Sequence, residues 1–102
     1  MARATLVLRE KVIDEEGNIT EFAIWELPQA PRGDARVRYR LAFVRRGERI
    51  PAVLYDNHDP KGHHRHVEGI EEPYDFVDVD GLLADFAADV RRVTGETKWP
   101  RR

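Results

Sequence analysis

Apolar and polar positions alternate most cleanly between residues 36 and 45. There Val37, Tyr39, Leu41 and Phe43 fall on one side, and Arg36, Arg38 and Arg40 on the other, followed by Ala42 and Val44. A period of two over this length predicts a strand with one face in the core. Two runs rich in β-branched residues, 5 to 13 and 19 to 27, flank Asp14-Glu15-Glu16-Gly17-Asn18. Gly17 and Asn18 tolerate positive φ, so these runs predict an antiparallel hairpin. Residues 28 to 35 carry two prolines and a glycine and read as a loop. Arg46-Gly47-Glu48 turns the chain into a fourth strand over 49 to 56, where Pro51 favours an edge or a bulge. Residues 57 to 72 read as a loop, and Pro73 to Val77 as a short extended piece.

From Asp78 the period changes. Val79, Leu82, Leu83, Phe86, Val90 and Val93 fall on one stripe at helical spacing, with Asp85 and Asp89 expected to face away. Asp78 suits an N-cap, Asp80 the first turn, Arg91 and Arg92 the last turn, and Gly95 the C-cap. The expected fold class is α+β: a four-stranded antiparallel β-meander packed against one C-terminal amphipathic helix. One domain is expected over 1–95, with 96–102 expected as a flexible basic tail. The face away from the helix carries the Arg36, Arg38 and Arg40 row.

Composition narrows the classes of function. The chain has 102 residues and no cysteine, which excludes a disulfide framework, thiolate zinc sites and a cysteine nucleophile. No run is long and apolar enough to span a membrane, and a cytoplasmic protein is expected. The net charge of −2 conceals two blocks. Residues 32 to 49 hold seven arginines against Asp34 and Glu48, a balance of +5, whereas residues 67 to 90 hold eight acids and no Lys or Arg. The blocks either pair internally or offer an anionic ligand a basic face.

All four histidines lie between His58 and His66, with Asp59, Lys61 and Arg65 among them and Asp56 just before. If His63 to Val67 is extended, His64 and His66 share one face, and His63 and Arg65 the other. Two imidazoles side by side can serve as base and acid at neutral pH. RNA cleavage by its own 2′-hydroxyl requires such a pair and cations for the phosphorane. Lys61 and Arg65 fit the latter task, and the arginine row would track an RNA backbone. Tyr55 and Tyr74 flank the segment as candidate stacking platforms for bases. The alternative task is metal binding, with His64, His66 and Asp56 holding zinc or manganese. Glu71 or Glu72 could orient an imidazole or pair with Lys61 or Arg65. The same residues also fit a solvated loop on an interaction module.

The order Tyr55-Asp56-Asn57, Lys61-Gly62-x-His64-Arg65-His66, Glu71-Glu72-Pro73-Tyr74-x-Phe76 and Leu82-Leu83-Ala84-Asp85-Phe86 resembles the TumE-type toxin components of prokaryotic toxin–antitoxin pairs. The resemblance covers roughly residues 36 to 92. It implies a small cytoplasmic toxin neutralised by a cognate DNA-binding antitoxin, and it singles out Lys61, Gly62, His64, Arg65 and His66. Combined with the chemistry above, the expected activity is a metal-independent endoribonuclease. RNA is then the substrate, and a homodimer is left open by the edge strands.

Overall fold

A computed structural model describes residues 4–28, 37–57 and 62–95. Arg36, Lys61, His58, Asp59 and the segment 96–102 lie outside the described residues. The described chain forms β1 (Thr5–Ile13), β2 (Ile19–Glu26), β3 (Val37–Val44), β4 (Val53–Asp56), β5 (His64–Val67), β6 (Ile70–Pro73) and α1 (Val79–Thr94). All strands pair antiparallel in sequence order, as one six-stranded meander. The α+β class and the single C-terminal helix agree with the sequence pattern. The strand count does not: there are six strands, not four. The segment expected as loop folds into β5 and β6, which extend the sheet beyond β4.

The hairpin of β1 and β2 is set by Asp14. Its carboxylate accepts from the amides of Glu16 at 2.9 Å and Asn18 at 3.0 Å, and Gly17 takes φ 88°. These contacts hold the Asp14 carboxyl below its ordinary value, the amide hydrogen bonds outweighing desolvation. Asn18 in turn accepts from the Arg46 amide at 2.9 Å, tying this turn to the one after β3. Pro51 sits before β4 rather than in it, so it removes no ladder bond, and pairing resumes with the Ala52 amide donating to Phe43 O at 2.8 Å. The β5–β6 connection is a tight turn through Glu68 (φ 50°) and Gly69 (φ 84°).

The alternation in β3 has the expected consequence. Tyr39, Leu41 and Phe43 are buried with Ile24, Val53 and Tyr55 beneath Leu82 and Phe86 of the helix. Burying a side chain of this size contributes about 1.5–3 kcal/mol, so this layer dominates the stability. Phe86 meets both Phe22 and Tyr55 edge-on, with ring centroids 5.8 and 5.7 Å apart. The helix begins where Asp78 accepts from the Gly81 amide at 2.7 Å and ends at Gly95 in the left-handed region.

One element of the helix departs from its pattern. Asp89, expected to face solvent, is 1% exposed and lies inside the helix–sheet interface. It is seven positions from Leu82, so helical geometry puts it on the core stripe in spite of its charge.

The helix-free face of the sheet

Strand alternation and register put a different set of residues on the face away from the helix. Trp25 pairs with Arg38, Ala23 with Arg40, Arg40 with Asp56, Asp56 with His64, and His66 with both Leu54 and Glu71. Arg38, Arg40, Asp56, His64, His66 and Glu71 therefore share this face. Trp25 lies here as well, half-buried beside Arg38.

His64 and His66 come together as alternation demands. Their ring centroids are 5.2 Å apart and the rings are steeply inclined at 73°. His64 is buried, and His66 is half-buried. His64 Nδ1 lies 2.9 Å from the carbonyl oxygen of Gly62, and Nε2 lies 2.9 Å from Asp56 Oδ1. Both nitrogens thus face acceptors, but a neutral imidazole has only one N–H to give. The mismatch falls on Asp56: its Oδ1 is buried and has no aligned hydrogen-bond donor among the described residues, although Nε2 approaches to 2.9 Å. Ligating atoms of His64, His66 and Glu71 all lie within 4.8 Å of one another. The carboxylate that converges with the two imidazoles is therefore Glu71, while Asp56 stands behind His64.

Arg65 lies on the opposite face. Its guanidinium donates to Glu72 at 2.7 Å, to the Tyr55 hydroxyl at 3.1 Å and to the buried Asp89 at 3.1 Å. The Tyr55 hydroxyl, Glu72 and Asp89 together push its pKa up, against the effect of burial. Asp89 completes the cluster by accepting from Tyr55 and from Arg92. Arg65 is engaged in joining the sheet to the helix, so the expectation that it shares a phosphate with His64 and His66 is revised. Odd and even positions of a four-residue strand cannot meet on one ligand.

The two tyrosines expected as stacking platforms also face the helix. Tyr55 is fully buried, and Tyr74 packs edge-on against it at 4.9 Å while donating to Asp85 at 2.6 Å. Burial is the first cause that pushes both phenols up, assisted by the Asp89 and Asp85 carboxylates respectively. The Tyr55 ring is closed to a base, and the reason is again alternation, since Tyr55 pairs with Leu41 and Arg65, while Tyr74 is half-buried against it. His63 shares the helix-facing side, stacked on Phe76 at 5.1 Å with Nδ1 2.9 Å from the Tyr39 hydroxyl.

Asn57 is a residue whose part the sequence did not disclose. Its side chain accepts from the Tyr39 amide at 2.9 Å and donates to Val37 O at 2.7 Å. It continues the β3–β4 ladder past Asp56, where the backbone turns away. An asparagine directly after an alternating Val-Leu-Tyr-Asp run is the signal for such a side-chain extension.

The described residues thus form a small α+β domain with a histidine–carboxylate cluster and two arginines on the helix-free face of its sheet. The more particular class comes from comparison: the family model of the toxin TumE matches residues 2–94. The chain therefore belongs to the TumE toxin family, that is, to the toxin components of toxin–antitoxin systems, and an antitoxin partner follows from that membership. No curated protein and no solved structure matches the chain significantly. Among the described residues no helix is long and apolar enough to cross a membrane.

Proposed function

We propose that this toxin is an endoribonuclease whose reaction takes place on the helix-free sheet face. The observation that carries the reading is the convergence of His64 and His66 at 5.2 Å between ring centroids, on the same face as Arg38 and Arg40. His66, the more accessible imidazole, exchanges a proton with the RNA. His64, with Asp56 against one nitrogen, is the second proton-transfer group and opens its contact with Gly62 or Asp56 to act. Arg38 and Arg40 hold phosphates of the strand, and Lys61, from the segment leading into β5, adds a further cation. Arg65, Tyr55 and Tyr74 serve the fold beneath this surface rather than the substrate. A DNA-binding antitoxin then silences the activity, and the protein works in the cytoplasm.

The test is cleavage of RNA by purified protein in excess chelator, with the ends examined for 2′,3′-cyclic phosphate. Replacing His66 by alanine should lower the rate by about 10²–10⁴-fold, the usual weight of one proton-transfer group. RNA binding without turnover, unchanged by His66→Ala, would make the face a binding module instead. Expression without growth arrest in a host lacking the antitoxin would count against this reading of the toxin's action.

A further inference from the structure

We propose that His64, His66 and Glu71 form a binding site for one transition-metal dication, zinc being the best match, with Asp56 as the carboxylate behind His64. The inference stands on geometry and donor chemistry and does not rest on the ribonuclease reading.

The donor set is two imidazoles and one carboxylate, which suits zinc and leaves its fourth position toward solvent. Register builds the set. His64 and His66 alternate onto one face of β5, and Glu71 of β6 stands directly opposite His66. Their ligating atoms lie within 4.8 Å of one another. Zinc bonds of about 2.0–2.2 Å put tetrahedral donors roughly 3.4 Å apart, so modest rotation of the half-buried His66 and the exposed Glu71 closes the site.

A second observation points the same way. A ligating imidazole ordinarily gives its other N–H to a carboxylate or a backbone carbonyl, which fixes the ring. His64 has one of each, Asp56 Oδ1 and Gly62 O, both at 2.9 Å. Whichever nitrogen takes the metal, the other keeps an orienting acceptor. If Nδ1 turns to the metal, Nε2–H donates to the buried Asp56 oxygen that otherwise has no aligned donor. Glu71 and Asp56 together also balance the two charges of the ion.

The same lone pairs cannot hold zinc and move protons at once, so zinc should suppress any chelator-resistant RNA cleavage. Binding is measured on tag-free protein by titration calorimetry with zinc chloride, and by the imidazole resonances of labelled histidine. We expect one zinc per chain, shifts at His64 and His66, and at least tenfold weaker binding in both His66→Ala and Glu71→Gln. Asp56→Asn should weaken it by roughly 10–100-fold, the usual effect of losing an orienting partner. His58→Ala should leave it unchanged. Both His66→Ala and Glu71→Gln alter exposed or half-buried side chains, and an unchanged metal-free melting temperature confirms that each folds. No uptake at tens of micromolar zinc would overturn the proposal. So would equal binding by all variants, or a loss caused by His58→Ala. Zinc binding without chelator-resistant cleavage would leave this site standing and remove proton transfer at the pair. Cleavage without zinc binding would do the reverse.

Discussion

At the scale of single residues the most consequential group is Asp89, a carboxylate 1% exposed and bound by Tyr55, Arg65 and Arg92. Buried charges persist only where paired and hydrogen-bonded, and removing one member strands the others. Asp89→Ala would leave the Tyr55 hydroxyl with only its longer contact to Asp85 O at 3.3 Å, and Arg65 with Glu72 and the Tyr55 hydroxyl. Unfolding in urea should show a loss of about 3–5 kcal/mol, the usual weight of a broken buried pair. A loss under 1 kcal/mol would mean that the cluster is incidental to stability. The sequence pattern put Asp89 outside because charge was weighed above spacing. Its position at the seventh residue from Leu82 was the better guide. A similar competition governed Arg65, where a basic residue between two histidines invited a phosphate reading. Its parity, opposite to theirs, already assigned it to the other face. His64 and His66 were legible for the same reason, since alternation alone brings them together.

Among the elements, β3 and the helix could be read from periodicity, and β1 and β2 from their β-branched content on either side of a turn, because each runs over eight residues or more. The strands β5 and β6 have four residues each and no alternation of apolar with polar side chains. Nothing in their hydrophobicity declares a strand, and what makes them one is the open edge of β4 together with the Glu68-Gly69 turn. That turn is braced from outside. Arg45 donates to both carboxylate oxygens of Glu68, at 3.0 and 2.7 Å, and to Val93 O at 2.9 Å. One side chain thereby links the β3–β4 turn, the β5–β6 turn and the end of the helix. The Arg45 guanidinium holds the Glu68 carboxyl below its ordinary value of 4.5. A carboxyl lowered in the folded state stabilises the fold above its unfolded value, and the gain disappears as pH falls through the folded one. The melting temperature should therefore drop more steeply with acid below pH 4.5 in the parent than in Glu68→Gln. At neutral pH the two should differ by no more than about 1 kcal/mol, since the pair is largely exposed. Parallel acid profiles would show that the clamp has no part in pH dependence.

On the scale of the whole molecule, the two faces of the sheet carry different mixtures of charge. Its helix side gathers the acids of α1 and pairs Asp89 and Glu72 with Arg65. Its helix-free side carries Arg38 and Arg40 on the face of the histidine cluster, and a groove next to Arg40 is lined by Arg9 and Lys11 together with Glu10 and Glu21. Arg40 is only loosely engaged, 3.9 Å from an exposed Glu21. Among the described residues, Arg45 of the basic block pairs with Glu68 of the acidic one, whereas Arg40 meets only Glu21, so Arg40 keeps a surface to offer. If that surface tracks single-stranded RNA, each arginine that neutralises a phosphate releases counterions and steepens the dependence of affinity on salt. For single strands the logarithmic slope is about 0.7 per phosphate contact. Binding of a catalytically silent His66→Ala protein to RNA, followed across salt concentrations, should lose about 0.7 of slope in Arg40→Gln and again in Arg38→Gln. Arg91→Gln alters an exposed charge on the helix and should leave the slope unchanged. Equal losses from all three would mean that RNA responds to net charge alone. A loss confined to Arg91 would move the nucleic-acid surface to the helix side, away from His64 and His66.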